Sequence, residues 1–142
     1  MEYNIRYYVI FFLTFYNLCV ILLLFLKVVV MRIVFYKKEN GKEPVKDDIE
    51  DLEERDKARV YGIIDDIKIN EFNSIRAEFR LIKGKLWEIK IRLESGGYRI
   101  FYTVIESNLM VLLHSYKKKT QKAPQNELNI ALKRLNNVIN NK

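Results

Sequence analysis

One cysteine, Cys19, and one histidine, His114, are all that this 142-residue chain offers to thiol and imidazole chemistry. A lone cysteine closes no internal disulfide, which points to a reducing compartment. One thiol and one imidazole far apart in sequence make no zinc or iron ligand cluster, so no metal position is assigned and no cofactor is expected. Carboxylate-held magnesium stays open, although no paired-acid motif argues for it. Prolines number two and glycines five, so each is informative punctuation.

Charge, in contrast, is plentiful and segregated. Residues 31–66 hold 8 Lys+Arg against 11 Asp+Glu, whereas residues 67–142 hold 15 against 6, within a formal net charge of +7. The basic half suits a polyanion, either nucleic acid or an anionic membrane. The length accommodates one ordinary domain with a substantial core.

Tyr8 to Leu26 carries no charge in 19 positions, long enough to span a bilayer as a helix. Lys27, Arg32, Lys37 and Lys38 follow it, which by the positive-inside tendency leaves the remainder in the cytoplasm. A cleaved signal peptide fits less well, because no small-residue cleavage pattern follows. The other reading starts from Met31, where MRIVFYKK opens like a soluble protein with an initial strand. Residues 1–30 are then an over-extended start. The expected division is a hydrophobic segment over 1–30 and a domain over 31–142, cytoplasmic in either case and membrane-anchored only if residues 8–26 are a genuine span.

Arg32–Tyr36 reads as a short strand. Asn40-Gly41 breaks it, and Pro44 suits the first position of a helix. Val45, Ile49 and Leu52 form an apolar stripe, followed by a second stripe of Val60, Ile63, Ile64 and Ile67. Asp56 is expected to cap the second helix. The acidic run DDIEDLEERD reads as a solvated helix face rather than a site. Asn70–Asn73 is a break, and Arg76–Lys83 fits a strand or a basic loop equally.

The most informative stretch is Leu86–Lys122, three strand-length runs joined by two turns and ending in KKKTQK. Trp87, Ile89, Ile91 and Leu93 alternate with Glu88, Lys90 and Arg92, the pattern of a strand with one apolar and one charged face. With Glu94–Gly97 as the turn and Leu93 paired to Tyr98, Arg92 is expected opposite Arg99, Lys90 opposite Phe101 and Glu88 opposite Thr103. A one-residue slip would bury Arg99, so burial constrains the face. Opposed arginines cost on the order of 0.2–1 kcal/mol, a cost an anion bound there would relieve. Ser107-Asn108 turns the next hairpin. With Glu106 paired to Leu109, His114 is expected opposite Phe101, and Tyr116 opposite Arg99. A lone histidine is more often structural than chemical. Pro124 starts a last helix with a stripe of Leu128, Ala131, Leu135 and Val138.

GKLWEIKIR, GYRIFYTV and LLHSYKKKTQKAPQNEL, followed by an apolar-striped helix, resemble the HigB-type toxins of the RelE superfamily over residues 31 to about 137. The combination in this spacing is fairly specific, while each piece alone is weak. The resemblance implies an α+β fold: a small antiparallel sheet packed against two N-terminal helices and one C-terminal helix, here preceded by the hydrophobic segment. It implies the toxin of a type II toxin–antitoxin module, an endoribonuclease that cuts mRNA, commonly on the ribosome, without a metal, and that a helix-turn-helix antitoxin neutralises. Position by position it brings forward Lys90 and Arg99 on the two central strands, Lys118 after the last strand, and Glu88 where closer relatives carry an acid. The family usually begins at the equivalent of Met31, so residues 1–30 depart from it. An aromatic that RelE places further along is replaced near Pro124, leaving Tyr102 and Tyr116 as candidates.

RNA cleavage without a metal requires a base for the ribose 2′-hydroxyl, stabilisation of the crowded phosphate and a proton for the leaving 5′-oxygen. Glu88 is the expected base, and neighbouring cations keep it ionised. Arg99 suits the phosphate because its planar fork bonds two oxygens. Lys118 or Lys90 serves the leaving group, while Lys85, Arg92, Lys117, Lys119 and Lys122 are expected along the RNA backbone. Two competing classes remain: a non-catalytic RNA- or ribosome-binding module, and a membrane-anchored regulator.

Overall fold

The computed structural model describes residues 30–118 and 124–140. Its elements are β1 (Arg32–Phe35), α1 (Pro44–Glu50), α2 (Glu54–Asn70), a short 3-10 turn over Glu71–Asn73, β2 (Glu78–Lys83), β3 (Leu86–Leu93), β4 (Gly96–Ile105), β5 (Leu109–Lys118) and α3 (Gln125–Asn140). The ambiguous segment before Lys83 is thus a strand. The α+β class, with two N-terminal helices and one C-terminal helix, agrees with the sequence reading. Among the described residues no helix is long and apolar enough to cross a membrane; residues 1–29, with the whole Tyr8–Leu26 run, lie outside them.

The five strands form one sheet in the order β1-β5-β4-β3-β2. It is mixed rather than wholly antiparallel, because β1 runs parallel to β5, with Arg32 opposite Leu109 and Phe35 opposite Leu112. Alternation within a strand does not encode the direction of its neighbour, and β1 and β5 share no turn that would dictate it.

One face of the sheet meets α1 and α2. Val45, Ile49, Val60, Ile63, Ile64 and Ile67 pack there against Ile89, Ile91, Tyr98, Ile100, Tyr102 and Leu112. The opposite, outer face meets α3 through a smaller cluster in which Ala131 and Leu135 pack on Leu86, Phe101, Val111 and Leu113. The predicted stripes supply both layers. At about 25 cal/mol per Å² of apolar surface removed from water, such burial is the dominant force joining helices to sheet.

Both hairpins differ from the expected pairing. Between β3 and β4, Leu93 pairs with Gly96, so Arg92 faces Gly97, Lys90 faces Arg99 and Glu88 faces Phe101. The register is two residues tighter than expected because the turn closes over Glu94-Ser95 alone. Asp56 causes this tightness: its carboxylate accepts the Glu94 and Ser95 backbone N–H groups at 2.9 and 3.3 Å. Gly96, at φ 124°, adopts a backbone conformation that L side chains rarely reach. Asp56 therefore does not cap α2, which begins after Glu53 with no side-chain cap. A slip of two residues leaves every side chain on its face, so Arg99 still joins Glu88, Lys90 and Arg92.

Between β4 and β5, Ile105 rather than Glu106 pairs with Leu109, and Glu106 takes φ 62° within the three-residue turn. A bulge at Leu113 then adds one residue to β5. Beyond it Phe101 faces His114 and Arg99 faces Tyr116, as expected. Two offsets of one residue cancel.

The acidic run is mostly exposed, with two exceptions that tie helices to the sheet. Asp56 holds the hairpin turn, and Asp48 accepts a hydrogen bond from Ser115 at 2.7 Å.

Candidate active-site cleft

The outer face of the sheet is only partly covered. Toward the β3–β4 turn it presents Lys90 and Arg92 from β3, Arg99 from β4 and Lys118 from β5. Lys118 pairs with Gly97, and a Cβ on Gly97 would lie 3.3 Å from the Lys118 Cβ and 3.7 Å from Nη1 of Arg99. The missing side chain lets the Lys118 stem lie close over the backbone beside Arg99.

Arg99 is held from beneath. Its Nη1 donates to the Tyr98 carbonyl at 3.0 Å, and its Nε lies 4.0 Å from Oε2 of Glu88. Glu88 itself is only 4% exposed, and its Oε1 accepts the Tyr116 hydroxyl at 3.1 Å. The Tyr116 ring stacks on Phe101 with centroids 5.6 Å apart. Burial, then the charge and hydrogen bond of Glu88, push the Tyr116 phenol far above its ordinary range, so it remains a protonated donor at physiological pH. Glu88, expected as a carboxylate on the charged face among cations, is instead buried, with one oxygen hydrogen-bonded to Tyr116 and the other 4.0 Å from Arg99.

Lys90 is ion-paired to Glu78, which stands directly across from it on β2. That hydrogen bond and the Lys90 charge, with smaller contributions from Arg99 and Arg92, hold the Glu78 carboxyl below the usual carboxylate range.

Because β2 starts at Glu78, opposite Lys90, the Ile91–Leu93 end of β3 has no strand beyond it. Here the outer face continues around the sheet edge into a cleft of about 800 Å³. Its lining includes Arg59 and Gly62 of α2, Arg76, Glu78, Lys90, Arg92 and Arg99. Five cations face one carboxylate. Such a concave surface concentrates positive potential and attracts phosphate.

The other expected residues are scattered. Lys117 lies opposite Tyr98, on the face away from Arg99, where its charge reaches Asp56. Lys85 sits exposed in the β2–β3 turn, about 17 Å along the strand from Lys90 at 3.4 Å per residue. Lys119 and Lys122 lie outside the described residues. His114 is 8% exposed; its Nε2 contacts Glu127 and its Nδ1 lies 3.2 Å from Nη1 of Arg134, which bonds the Leu113 carbonyl at 2.8 Å. The histidine therefore fastens α3 to β5. Of the two tyrosine candidates, Tyr116 reaches the site, whereas Tyr102 is buried on the inner face beside Phe72, Phe79 and Trp87.

Sequence reasoning missed Arg59, Arg76 and Glu78. Arg59 occupies an exposed helical position that looks like ordinary solvation, and only the strand reading of EFRLIK would have set Glu78 beside Lys90. Among the described residues, no group of three or more His, Cys, Asp and Glu side chains is arranged to hold a metal ion.

A family model for phage-derived Gp49-like proteins (DUF891) matches residues 47–136. The chain belongs to this family. The match runs from α1 into α3 and takes in every residue of the cleft. The Gp49-like family is a RelE-like one associated with the toxins of toxin–antitoxin systems, which implies an antitoxin partner. No curated protein matches the chain.

Proposed function

We propose that this Gp49-like protein is a HigB-type toxin and acts as an endoribonuclease on mRNA in the cytoplasm, with the ribosome presenting the substrate and a helix-turn-helix protein as its antitoxin. The observation that carries this reading is Arg99. Its guanidinium lies beside Glu88 and the Tyr98 carbonyl in a cleft that Lys90 and Arg92 also line, with Lys118 next to it over Gly97.

In this mechanism Arg99 bonds two oxygens of the scissile phosphate as charge builds on them. Lys118, packed beside Arg99 over Gly97, serves the departing 5′-oxygen, and Lys90 balances charge. Two carboxylates compete for the 2′-hydroxyl proton. Glu88 lies buried beneath Arg99 with Oε1 bonded to Tyr116, which favours a role in orienting the arginine. Glu78 is exposed at the rim and, although a weak base, is ionised and reachable. Ribosomal positioning of the substrate would offset a modest base.

Inducible expression of the full chain and of residues 31–142, with mapping of mRNA ends, tests the reading. New 5′ ends that disappear in Arg99→Ala support it. Growth arrest from a folded Arg99→Ala variant would remove Arg99 from the chemistry. Glu78→Gln and Glu88→Gln separate the base from the orienting carboxylate: the first should lower the plateau of the pH–rate profile, and the second should impair phosphate binding. The burial of Glu88 also suits a non-catalytic RNA-binding module, which predicts salt-sensitive binding with no cut ends. Activity of residues 31–142 alone would place the function in that domain, and its absence would favour a role for residues 1–30.

A further inference from the structure

The cleft has a wall that the phosphate chemistry above does not use. Arg59 and Arg76 approach it from the α2 side of the sheet, whereas Arg92 and Arg99 approach from the outer face. Arg76 is exposed but anchored. Ser74, just before it and buried, donates to Asp66 of α2 and receives the Arg76 backbone N–H at 3.4 Å. The Arg76 guanidinium comes close to Gly62, where a Cβ would lie 3.9 Å from Nη1. The guanidinium thus lies against α2 beside Gly62. Among the described residues neither Arg59 nor Arg92 forms an ion pair; Arg92 has only the more distant charge of Glu78, and Arg76 that of Asp66.

We infer that Arg59 and Arg76 form a second phosphate-binding wall, so that the substrate strand passes from Arg99 around the free end of β3 and is gripped from both sides of the sheet. The inference rests on the nucleic-acid reading of the cleft and deepens it. Its substrate class is single-stranded. The path bends around the edge of one strand, which a flexible single strand follows and a duplex, stiff over about 150 base pairs, does not. Both arginines are positioning residues: they hold the backbone away from the scissile phosphate and so add affinity without entering the reaction.

The test uses the full chain and a single-stranded 2′-deoxy oligonucleotide, which lacks the hydroxyl needed for cleavage, titrated by anisotropy over a range of salt concentrations. The Arg59→Gln/Arg76→Gln double variant should bind at least about tenfold more weakly at low salt. Its slope of log K against log salt should be shallower by about 1.4, the value for two lost single-strand phosphate contacts at about 0.7 each. Arg59→Lys/Arg76→Lys should restore most of that slope. Lys37→Gln/Lys38→Gln, which removes the same charge beyond β1 at the other sheet edge, should change the slope by less than half as much. On a ribosome-bound transcript the double glutamine variant should raise KM and keep kcat.

A double variant with the wild-type slope, or one no different from the Lys37/Lys38 control, overturns the second wall even if the wild type cuts RNA. Stronger binding to duplex than to single strand overturns the substrate class. If the wild type shows the arginine-dependent slope yet cuts no mRNA on the ribosome, the wall stands and the ribonuclease reading falls. No binding by the wild type overturns the wall. Unchanged melting temperatures in the variants, expected because both side chains are exposed, confirm that binding rather than folding was altered.

Discussion

The outer face of the sheet has two halves built from the same strands. Under α3, the residues Phe101, Val111 and Leu113 are apolar and buried. Toward the β3–β4 turn, Lys90, Arg92, Arg99 and Lys118 occupy equivalent positions and are not covered by that helix. The covered half contributes to stability through burial. The open half sets like charges opposite one another, Lys90 across from Arg99, and is partly relieved by Glu78 and Glu88. A sheet does not need such a cluster in order to fold. Its retention beside an apolar half is what a surface for binding anions looks like.

Removing packing from the covered half should have the largest effect. Phe101→Ala would leave a cavity between sheet and α3 and remove the ring that stacks on Tyr116, at a cost of about 3–5 kcal/mol in urea unfolding. A loss below about 1 kcal/mol would mean that α3 is not integral to the core. In the open half, Arg99→Ala should slow RNA cleavage by about 10²–10³-fold, the usual loss for one transition-state donor, as measured by primer extension on a defined transcript.

A smaller effect couples the halves. Arg99→Ala withdraws the counter-charge from buried Glu88 and should cost about 1–3 kcal/mol. Adding Glu88→Gln should recover most of that stability without restoring cleavage, since the neutral amide needs no cation. Recovery of cleavage in the double variant would show that Glu88 and Arg99 are not an orienting pair.

The smallest predicted effect lies at the turn that sets the register. Hydrogen bonds from Ser95 and Glu94, opposed by desolvation, hold the Asp56 carboxyl below its ordinary value. A depressed folded pKa contributes stability that is present above the unfolded value of about 3.9 and lost as pH falls through the folded one. Acid melts of the wild type should therefore steepen below about pH 4, and Asp56→Asn should flatten that limb. An unchanged limb would return the stability of the turn to Gly96 alone.

Periodicity made much of this legible. The stripes of α1, α2 and α3 and the alternation in β3 predicted the layers, because a stripe of the right period must be buried somewhere. Turn lengths were less legible. Glu94–Gly97 looks like a four-residue loop until Asp56, 38 residues earlier, captures two of its N–H groups. The bulge at Leu113 left no mark in the sequence, and the expected pairing of Arg99 with Tyr116 held because one offset offset the other.

The sequence by itself determined that Arg99 shares a face with Glu88, Lys90 and Arg92, since a two-residue periodicity and the cost of burying a guanidinium admit no other parity. Only the tertiary structure decided what that face contains. It buried Glu88 beneath Arg99, paired Lys90 with Glu78, sent Lys117 to the far side and brought Arg59 and Arg76 around the edge. Local patterns record which side of a strand a residue occupies. Which distant helix or turn comes to lie beside it is set by packing between elements far apart in the chain.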